Sequence, residues 1–339
     1  MNILLHADGG IGVGLGHASR CSALAIALRR QGHVASVLVD PSKGLVDYLS
    51  RLQVPVIEGP ANSASLQVHA DRLNAGVIVI DSYRWYATDF TDVRQNGRIV
   101  VAFDDEARRN LPVDAVINGA PAAVSLDYQT FPHTRLWLGL PYQVIREEFR
   151  NVPFRKPTGA VRRVIVLVGG DDSLGLLPQL AQRLDAVAAK CKPQFKVQLI
   201  CGPYARMPDT DVLSHVETIQ HPLDLRDRML SADMALSASG QTLYELARCG
   251  TPTIAFCSGE DQVHNLAALA EAGVVYDSGD ASRPGWLDTV EEVIRTLATD
   301  QDRRDNLSTV AQRLMDGRGA DRLVIELQRL VADKITCKK

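Results

Sequence analysis

At 339 residues the chain is about twice as long as an ordinary domain, and its 46% hydrophobic content is enough for two ordinary cores. Lys and Arg number 37 against 40 for Asp and Glu, so the net charge of -3 provides no broad basic surface and we expect no nucleic-acid partner. The six cysteines form no CxxC pair and no Cys/His cluster with zinc-like spacing, which argues against a disulfide framework or a structural metal.

The hydropathy of the chain predicts neither export nor membrane insertion. The apolar run at residues 1–7 is too short for a signal peptide and is followed at once by Asp8 and glycines. No stretch approaches the length that spans a membrane. We therefore expect a cytoplasmic protein with reduced, buried thiols and no integral membrane contact.

The first half of the chain alternates short apolar runs with helical patterns, which is typical of parallel strands joined by crossover helices. A helix is predicted over residues 18–31, with Gly32 as its C-cap. Strands are predicted at residues 3–7, 34–39, 77–80, 99–103 and, more weakly, 115–117. The alternation breaks down over residues 121–159, which contain five prolines, and we place the lobe boundary at 151–159.

The second half repeats the same plan. Strands are predicted at residues 163–168, 197–201, 216–219, 234–237 and 253–256. A helix is predicted to begin near Gln241, and residues 286–334 read as two or more amphipathic helices. The sequence thus predicts an α/β protein with two Rossmann-like doubly wound lobes, at residues 1–150 and 160–316, and a C-terminal helix at 317–339.

Ligands of parallel sheets bind beyond the carboxyl ends of the strands, and the first such loop is rich in glycine. Five of the nine residues from 8 to 16 are glycines, so backbone amides can approach a ligand closely before a helix start, where His17 lies. The alternative is a flexible turn with a capping histidine. The loop lacks the Lys and Ser/Thr ending of a P-loop, and His17 occupies the third position of a loose GxGxxG, which argues against a dinucleotide.

Acidic residues follow two further strands of the first lobe. Asp81, Ser82 and Tyr83 end one strand, and Asp104, Asp105 and Glu106 follow the next. An acidic cluster could hold magnesium, and it could equally cap a turn and hold neighbouring loops by hydrogen bonds. We assign no metal here.

The second lobe holds two strand-to-helix turns that could bind a diphosphate. Gly169 and Gly170 form one, and small hydroxyl residues with a glycine start a helix at the other. Glu245, one turn inside that helix, could accept hydrogen bonds from a ribose, the alternative being an ordinary capped helix. Amide side chains that suit sugar hydroxyls follow the next strand. The predicted ligand contacts of this lobe are Gly169, Gly170, Ser239, Gly240, Gln241, Thr242, Glu245, Asp261, Gln262 and Asn265.

Taken in order, these residues resemble the PseG-type UDP-sugar hydrolases of pseudaminic acid biosynthesis, which are relatives of the inverting glycosyltransferase that completes lipid II. The resemblance spans most of the chain. The most specific match is the segment 142–149, YQVIREEF, because no general rule of the fold demands it. The other matching segments are 14–21, 80–83, 103–106, 169–171 and 237–245.

The resemblance implies a GT-B architecture, with the two lobes facing across a cleft, and cleavage of a UDP-linked diacetamido-trideoxy sugar to free sugar and UDP without a metal or a cofactor. It implies that His17 acts on the water or the reacting sugar, with Tyr83 nearby. The second lobe would hold UDP through the Gly170 loop, Ser239 and Gly240, with Glu245 on the ribose. Further substrate contacts are expected at Gly14, Gly16, Arg20 and Asp81.

The implied chemistry is consistent with the residues. Amides at a helix start can stabilise a departing diphosphate, and a histidine can take a proton from attacking water at neutral pH. Attack from the face opposite UDP inverts the anomeric carbon. Family members serve flagellin glycosylation and cell-surface polysaccharides, and we expect a monomer or a homodimer.

Other functions remain open at this stage. Some family members carry Asn where this chain has Asp261, and Arg84 and Trp85 after Tyr83 also depart from the family, which leaves a related deoxysugar as an alternative substrate. An inverting glycosyltransferase, a UDP-sugar 2-epimerase and a non-enzymatic nucleotide-sugar binder are the alternative functions.

Overall fold

The computed structural model describes residues 1–41, 43–94, 97–108, 110–157 and 159–336. Residues 337–339, which include Cys337 and end the predicted C-terminal helix, and Thr158 in the predicted lobe boundary lie outside the described residues. The chain divides into two compact units. Unit 1 is Met1–Arg150 with Gly317–Lys339, and unit 2 is Asn151–Asp316.

Unit 1 is built on a parallel sheet. Over the described residues its strand order is β3-β2-β1-β4-β5-β6-β7. The strands are β1 (Asn2–Ala7), β2 (Val34–Val39), β3 (Val56–Glu58), β4 (Val77–Asp81), β5 (Ile99–Phe103), β6 (Ala115–Asn118) and β7 (Arg135–Leu138). The helices are α1 (Gly16–Arg30), α2 (Lys43–Arg51), α3 (Ser63–Arg72), α4 (Ala87–Arg94) and α11 (Gly319–Thr336).

The central strands of unit 1 are apolar along their whole length because helices cover both faces of the sheet. In β1, Ile3 and Leu5 pack into the cluster that includes α1 and α11, whereas Leu4 packs into the cluster on the opposite face. β4 is buried at all of its residues, Val77–Asp81. Burial on both faces is what makes parallel strands read as continuous apolar runs.

Unit 2 is built on a second parallel sheet, with the order β10-β9-β8-β11-β12-β13 over the described residues. Its strands are β8 (Arg163–Leu167), β9 (Lys196–Cys201), β10 (Val216–Gln220), β11 (Met234–Ala238), β12 (Thr253–Cys257) and β13 (Tyr276–Asp280). Its helices are α5 (Leu176–Lys190), α6 (Leu225–Ser231), α7 (Gln241–Cys249), α8 (Val263–Glu271), α9 (Trp286–Thr299) and α10 (Gln301–Leu314).

The core of unit 2 lies between its sheet and α5 and α9. Val164 and Val166 of β8 pack with Leu180 of α5 and Ile294 of α9 in one cluster of buried side chains. The predicted α/β class, with two doubly wound parallel sheets, is confirmed. Among the described helices, none combines the length with the apolar composition that a bilayer crossing needs.

Candidate functional site

The strand order of each sheet indicates where a ligand can bind. In unit 1, successive strands are added on one side of β1 as far as β3, and then on its other side from β4 onward. The strand order therefore reverses between β1 and β4. In unit 2 it reverses in the same way between β8 and β11. Open parallel sheets bind ligands outside the carboxyl ends of the strands at such a reversal. Asp81 is the last residue of β4, and the other predicted site residues follow these four strands or, for Asp261, Gln262 and Asn265, the neighbouring β12.

The glycine loop after β1 closes on itself. The amide of Gly10 donates to the carbonyl of Gly14 at 3.0 Å, and the amide of Gly14 donates back to Gly10 at 2.8 Å. Gly14 has a φ of +76°, which favours glycine. The Gly14 amide is therefore engaged within the loop. A Cβ at Gly16, by contrast, would meet no atom within 4 Å, so the space beside the first residue of α1 is open.

His17 and Asp81 form a buried pair at the carboxyl edge of this sheet. The His17 Nδ1 and the Asp81 Oδ1 are 2.6 Å apart, and Asp81 is fully buried. Because an ionised carboxylate only accepts hydrogen bonds, His17 donates from Nδ1. Its Nε2 makes no hydrogen bond to any described residue. With Nδ1 donating to Asp81, Nε2 is the ring nitrogen that can accept a proton.

Arg20 keeps the Asp81 carboxylate ionised. Its Nε donates to Asp81 Oδ2 at 2.5 Å and its Nη2 donates to Oδ1 at 2.8 Å. Burial alone would raise the pKa of Asp81, but the charge of Arg20 and then that of His17 outweigh burial and hold this pKa well below its usual range. Arg20 and Asp81 were predicted as ligand contacts, and in the structure they are partners of each other and of His17.

Asp105 links Tyr83 to Arg20. The Tyr83 hydroxyl donates to Asp105 Oδ2 at 2.8 Å, and the same oxygen lies 2.8 Å from Arg20 Nη2. The Tyr83 ring meets the His17 ring edge to face, with centroids 4.7 Å apart. Burial, followed by the negative charge of Asp105, raises the pKa of Tyr83, so its hydroxyl stays protonated at neutral pH. The structure therefore brings Tyr83 and His17 together.

Asp104, whose role the sequence left open, holds a loop. It is fully buried and accepts hydrogen bonds from the Arg108 amide at 2.8 Å and from Arg108 Nε at 2.9 Å. Arg108 in turn donates to the backbone carbonyls of Ser82 at 3.1 Å and Trp85 at 3.2 Å. This geometry favours the turn-capping alternative over the magnesium alternative. Over the described residues, no group of three or more His, Cys, Asp or Glu side chains is placed to hold a metal ion.

A second polar group at the same edge was not predicted as part of the site. Asp8, directly after β1, is 2% exposed and accepts from Ser82 Oγ at 2.6 Å and from Arg84 Nη2 at 2.5 Å. The position of Asp8 directly after a strand was the signal that could have found it.

In unit 2 the turn after β8 packs tightly against the end of β9. A Cβ at Gly202 would lie 2.5 Å from the carbonyl oxygens of both Gly169 and Gly170, so only glycine fits there. The amide of Tyr204 donates to the Gly170 carbonyl at 3.1 Å. The carboxylate of Asp172 accepts from the amides of Leu176 and Leu177 and so caps α5. These contacts fix the path of the Gly169–Gly170 turn.

The amino end of α7 has the features of an anion site. Gly240 is the N-cap and, as a glycine, has no side chain to cap the helix. The first backbone amides of a helix point along its axis, where an anion can bind. Gln241 and Thr242 are half-buried. Ser239 Oγ donates to the Phe256 carbonyl at 2.9 Å and can only accept a further hydrogen bond, and Glu245 is 1% exposed. Gln241 and Thr242 are therefore more accessible than Ser239 and Glu245.

The residues after β12 present amide groups. Gln262 Oε1 accepts from the Ser258 amide at 3.0 Å, and Asn265 Oδ1 accepts from the Tyr244 hydroxyl at 2.7 Å. The NH₂ groups of Gln262 and Asn265 have no acceptor among the described residues and can donate to a ligand. Asp261 is exposed.

An open cavity of about 450 Å³ lies at the other edge of the unit 1 sheet. It is lined by the amino ends of β1, β4 and β5, including Asn2, Val77 and Ile99, and by Lys334 of α11. It contains none of the predicted site residues, and ligands of parallel sheets bind at the opposite edge.

Comparison with known proteins gives relatives of low identity. No family model matches the chain. The spore coat polysaccharide biosynthesis protein SpsG of Bacillus subtilis is 23% identical over 99% of this chain and 100% of its own length. The pseudaminic acid cytidylyltransferase and UDP-2,4-diacetamido-2,4,6-trideoxy-beta-L-altropyranose hydrolase of Helicobacter pylori is 21% identical over 77% of this chain, which spans 45% of that protein.

Solved structures match almost the whole chain. MurG of Acinetobacter baumannii superposes with a TM-score of 0.66 at 13% identity, covering 97% of this chain and 100% of that one. The spinosyn rhamnosyltransferase SpnG, complexed with thymidine diphosphate, gives a TM-score of 0.67 at 15% identity, covering 97% and 100%. The chain has the GT-B fold. At these identities the GT-B likeness concerns the fold alone.

Proposed function

We propose that this GT-B protein cleaves a UDP-linked sugar at its anomeric carbon by activating water, releasing UDP and the free sugar. The observation that carries the proposal is the buried hydrogen bond of 2.6 Å between His17 Nδ1 and Asp81 Oδ1. It fixes the tautomer in which Nε2 can take a proton from water, a contribution of about 10²–10⁴-fold in rate. The similar H. pylori protein, a cytidylyltransferase that is also a UDP-sugar hydrolase, supports the choice of substrate class.

The unit 1 residues would divide the work of the reaction. His17 accepts the proton of the attacking water, and Asp81, itself held by Arg20, orients the imidazole and stabilises the imidazolium that forms. Tyr83 packs against the His17 ring and keeps its hydroxyl on Asp105. Water that attacks from the face opposite UDP inverts the anomeric carbon.

Unit 2 would hold the nucleotide. First-turn amides of α7 near Gly240, Gln241 and Thr242 bind the diphosphate and stabilise the negative charge that develops as UDP departs. The Gly169–Gly170 turn lies after the neighbouring strand β8, at the same edge. The NH₂ groups of Gln262 and Asn265 donate to sugar hydroxyls. The SpnG complex with thymidine diphosphate is a nucleotide-bound example of the same fold, which supports this role for a GT-B lobe.

A glycosyltransferase is the second candidate, because SpnG, which shares the fold, is a rhamnosyltransferase. In that case His17 would take the proton of an acceptor hydroxyl in place of water. Incubating the protein with UDP-sugars and no acceptor separates the two. Free sugar and UDP in the NMR spectrum support the hydrolase, and no release without an added acceptor supports the transferase.

The proposal is tested by replacing His17 with Ala. Because the general base is removed while α7 is untouched, UDP release should fall by about 100-fold or more and the Kd for UDP should stay within twofold. His133→Ala, at an exposed histidine of the same unit, is the matched control and should release UDP at the wild-type rate. Unchanged turnover in His17→Ala would remove His17 from the mechanism.

A further inference from the structure

The guanidinium of Arg84 is fixed at the same sheet edge as His17. Its Nη2 donates to Asp8 Oδ1 at 2.5 Å and to Asp40 Oδ2 at 3.2 Å. The Arg84 amide donates to Ser82 Oγ at 3.1 Å, and that hydroxyl donates to Asp8 Oδ2 at 2.6 Å. Asp8 is buried, so both ends of the arginine are tied to one immobile carboxylate.

Part of this guanidinium is still available to a ligand. The side chain of Arg84 is 55% exposed, and over the described part of the chain its Nε and Nη1 have no hydrogen-bond acceptor. Those atoms carry N–H donors in a rigid planar arrangement, so little entropy is lost when a ligand binds to them.

The local charge decides what kind of ligand fits. Asp8 and Asp40 together carry two negative charges against the single positive charge of Arg84. Burial lowers the pKa of the neighbouring His6, so that residue adds no positive charge at neutral pH. A carboxylate or phosphate would meet a net negative environment, whereas a neutral oxygen can accept from the free N–H groups without repulsion.

The position of Arg84 places it on the side of the reacting sugar. It follows Tyr83, whose ring meets that of His17 at 4.7 Å, and it lies where β1, β2 and β4 end.

We propose that Arg84 is a specificity-determining residue that donates hydrogen bonds to a neutral acceptor oxygen, an amide carbonyl or a hydroxyl, on the sugar of the nucleotide-sugar substrate. The inference rests on the proposed function, since it takes the sugar to bind beside His17. It assigns Arg84 to the sugar and not to the nucleotide.

The test measures binding by calorimetry in the His17→Ala background, so that no substrate is consumed. The ligands are UDP, UDP-glucose, UDP-N-acetylglucosamine and UDP-glucuronate. Arg84→Ala should raise the Kd of UDP-glucose or UDP-N-acetylglucosamine by about tenfold or more and leave the Kd of UDP unchanged. A larger loss of affinity for UDP-glucose indicates a hydroxyl acceptor. A larger loss for UDP-N-acetylglucosamine indicates an acetamido carbonyl.

Two further variants control for misfolding. Arg84→Lys keeps a positive charge for Asp8 but loses the fork of N–H donors, so it should fold and still lose the sugar contact. Arg72→Ala removes an exposed arginine from α3, ahead of the amino end of β4, and should bind all four ligands as the wild type does.

The outcomes separate this inference from the proposed function. Three results would overturn the role of Arg84. They are an equal loss of affinity for UDP and the UDP-sugars, an unchanged affinity for the UDP-sugars in both Arg84 variants, and a loss of affinity that is greatest for UDP-glucuronate. Continued UDP release by His17→Ala would overturn the proposed catalysis, whatever the Arg84 variants bind.

Discussion

The Asp81 carboxylate determines which nitrogen of His17 carries the proton in the neutral ring. Asp81 accepts a hydrogen bond from Nδ1, and over the described part of the chain Nε2 has no hydrogen-bond partner. The lowered pKa of Asp81 keeps its carboxylate charged. A carboxylate with a lowered folded pKa adds stability at pH values above its unfolded pKa of about 3.9, and loses that contribution as the pH falls toward the folded value. Asp81 is therefore ionised throughout the neutral range, and acidification to pH 5 should not break the pair by protonating Asp81.

Asp81→Asn should uncouple catalysis from nucleotide binding. An amide can donate to Nδ1 and so favour the wrong tautomer, which should lower kcat by about 10²–10⁴-fold while the Kd for UDP is kept. Nitrogen NMR of the His17 ring should show the proton moving from Nδ1 in a fraction of molecules.

Asp104→Asn is the matched control for Asp81→Asn. Asp104 is equally buried but contacts Arg108 and not His17. The Asp104→Asn variant should have a lower unfolding temperature and a kcat close to that of the wild type. Equal kcat values for the Asp81→Asn and Asp104→Asn variants would contradict the proposal that Asp81 orients His17.

At this scale the sequence indicated which residues lie at the sheet edge but not how they pair. His17 and Tyr83 could be selected because one follows a glycine loop and the other follows a buried strand. The link between His17 and Asp81 spans 64 positions, and no local pattern gives the distance between two side chains so far apart. Arg20 and Asp81 were consequently assigned to the ligand, although each is engaged by the other.

At the scale of elements, the strands that the sequence analysis did not predict are all at sheet edges. β3 and β7 end the order of the first sheet, and β13 ends that of the second. The central strands are buried on both faces and must be apolar, whereas an edge strand is under weaker constraint. β13 reads Tyr-Asp-Ser-Gly-Asp, and β3 has three residues, so neither gives a hydrophobic run.

The segment 142–149 has a structural explanation within unit 1. The backbone of Gln143 lies so close to Gly119 and Gly319 that a Cβ at either glycine would be within 3 Å of it. Arg30 pairs with both Glu147 and Asp321 of α11. The segment thus joins α11 to the rest of the unit, which accounts for a motif that the general rules of the fold do not require.

Gly319→Ala should loosen α11. The added Cβ would stand 2.0 Å from the Gln143 carbonyl oxygen, a contact that only a backbone shift can relieve, at a cost of about 1–3 kcal/mol. The expected result is an unfolding temperature several degrees lower in a thermal melt. Gly76→Ala, where a Cβ meets nothing within 4 Å, is the control in the same unit. Equal melting temperatures for the two variants would contradict the tight contact at Gln143.

At the scale of the whole molecule, net charge does not favour the proposed binding of an anionic nucleotide. The net charge is -3, so the protein as a whole repels a nucleotide diphosphate weakly. In the proposed function the attraction comes from local donors at the amino end of α7, where Gly240 is the N-cap. In the proposed function, amides of unit 2 bind UDP and residues of unit 1 transfer the proton.

Hydrogen exchange read by mass spectrometry tests this division directly. A ligand that binds backbone amides slows their exchange, so UDP alone should protect peptides that contain residues 169–175 and 239–246 of unit 2. Peptides of residues 9–20, which hold the glycine loop and His17, should exchange at the same rate with and without UDP. The His17→Ala variant is the control and should give the same pattern, because it removes no donor to the nucleotide. Protection by UDP confined to residues 9–20 would show that the nucleotide binds the glycine loop of unit 1, and would reverse the assignment of the two units.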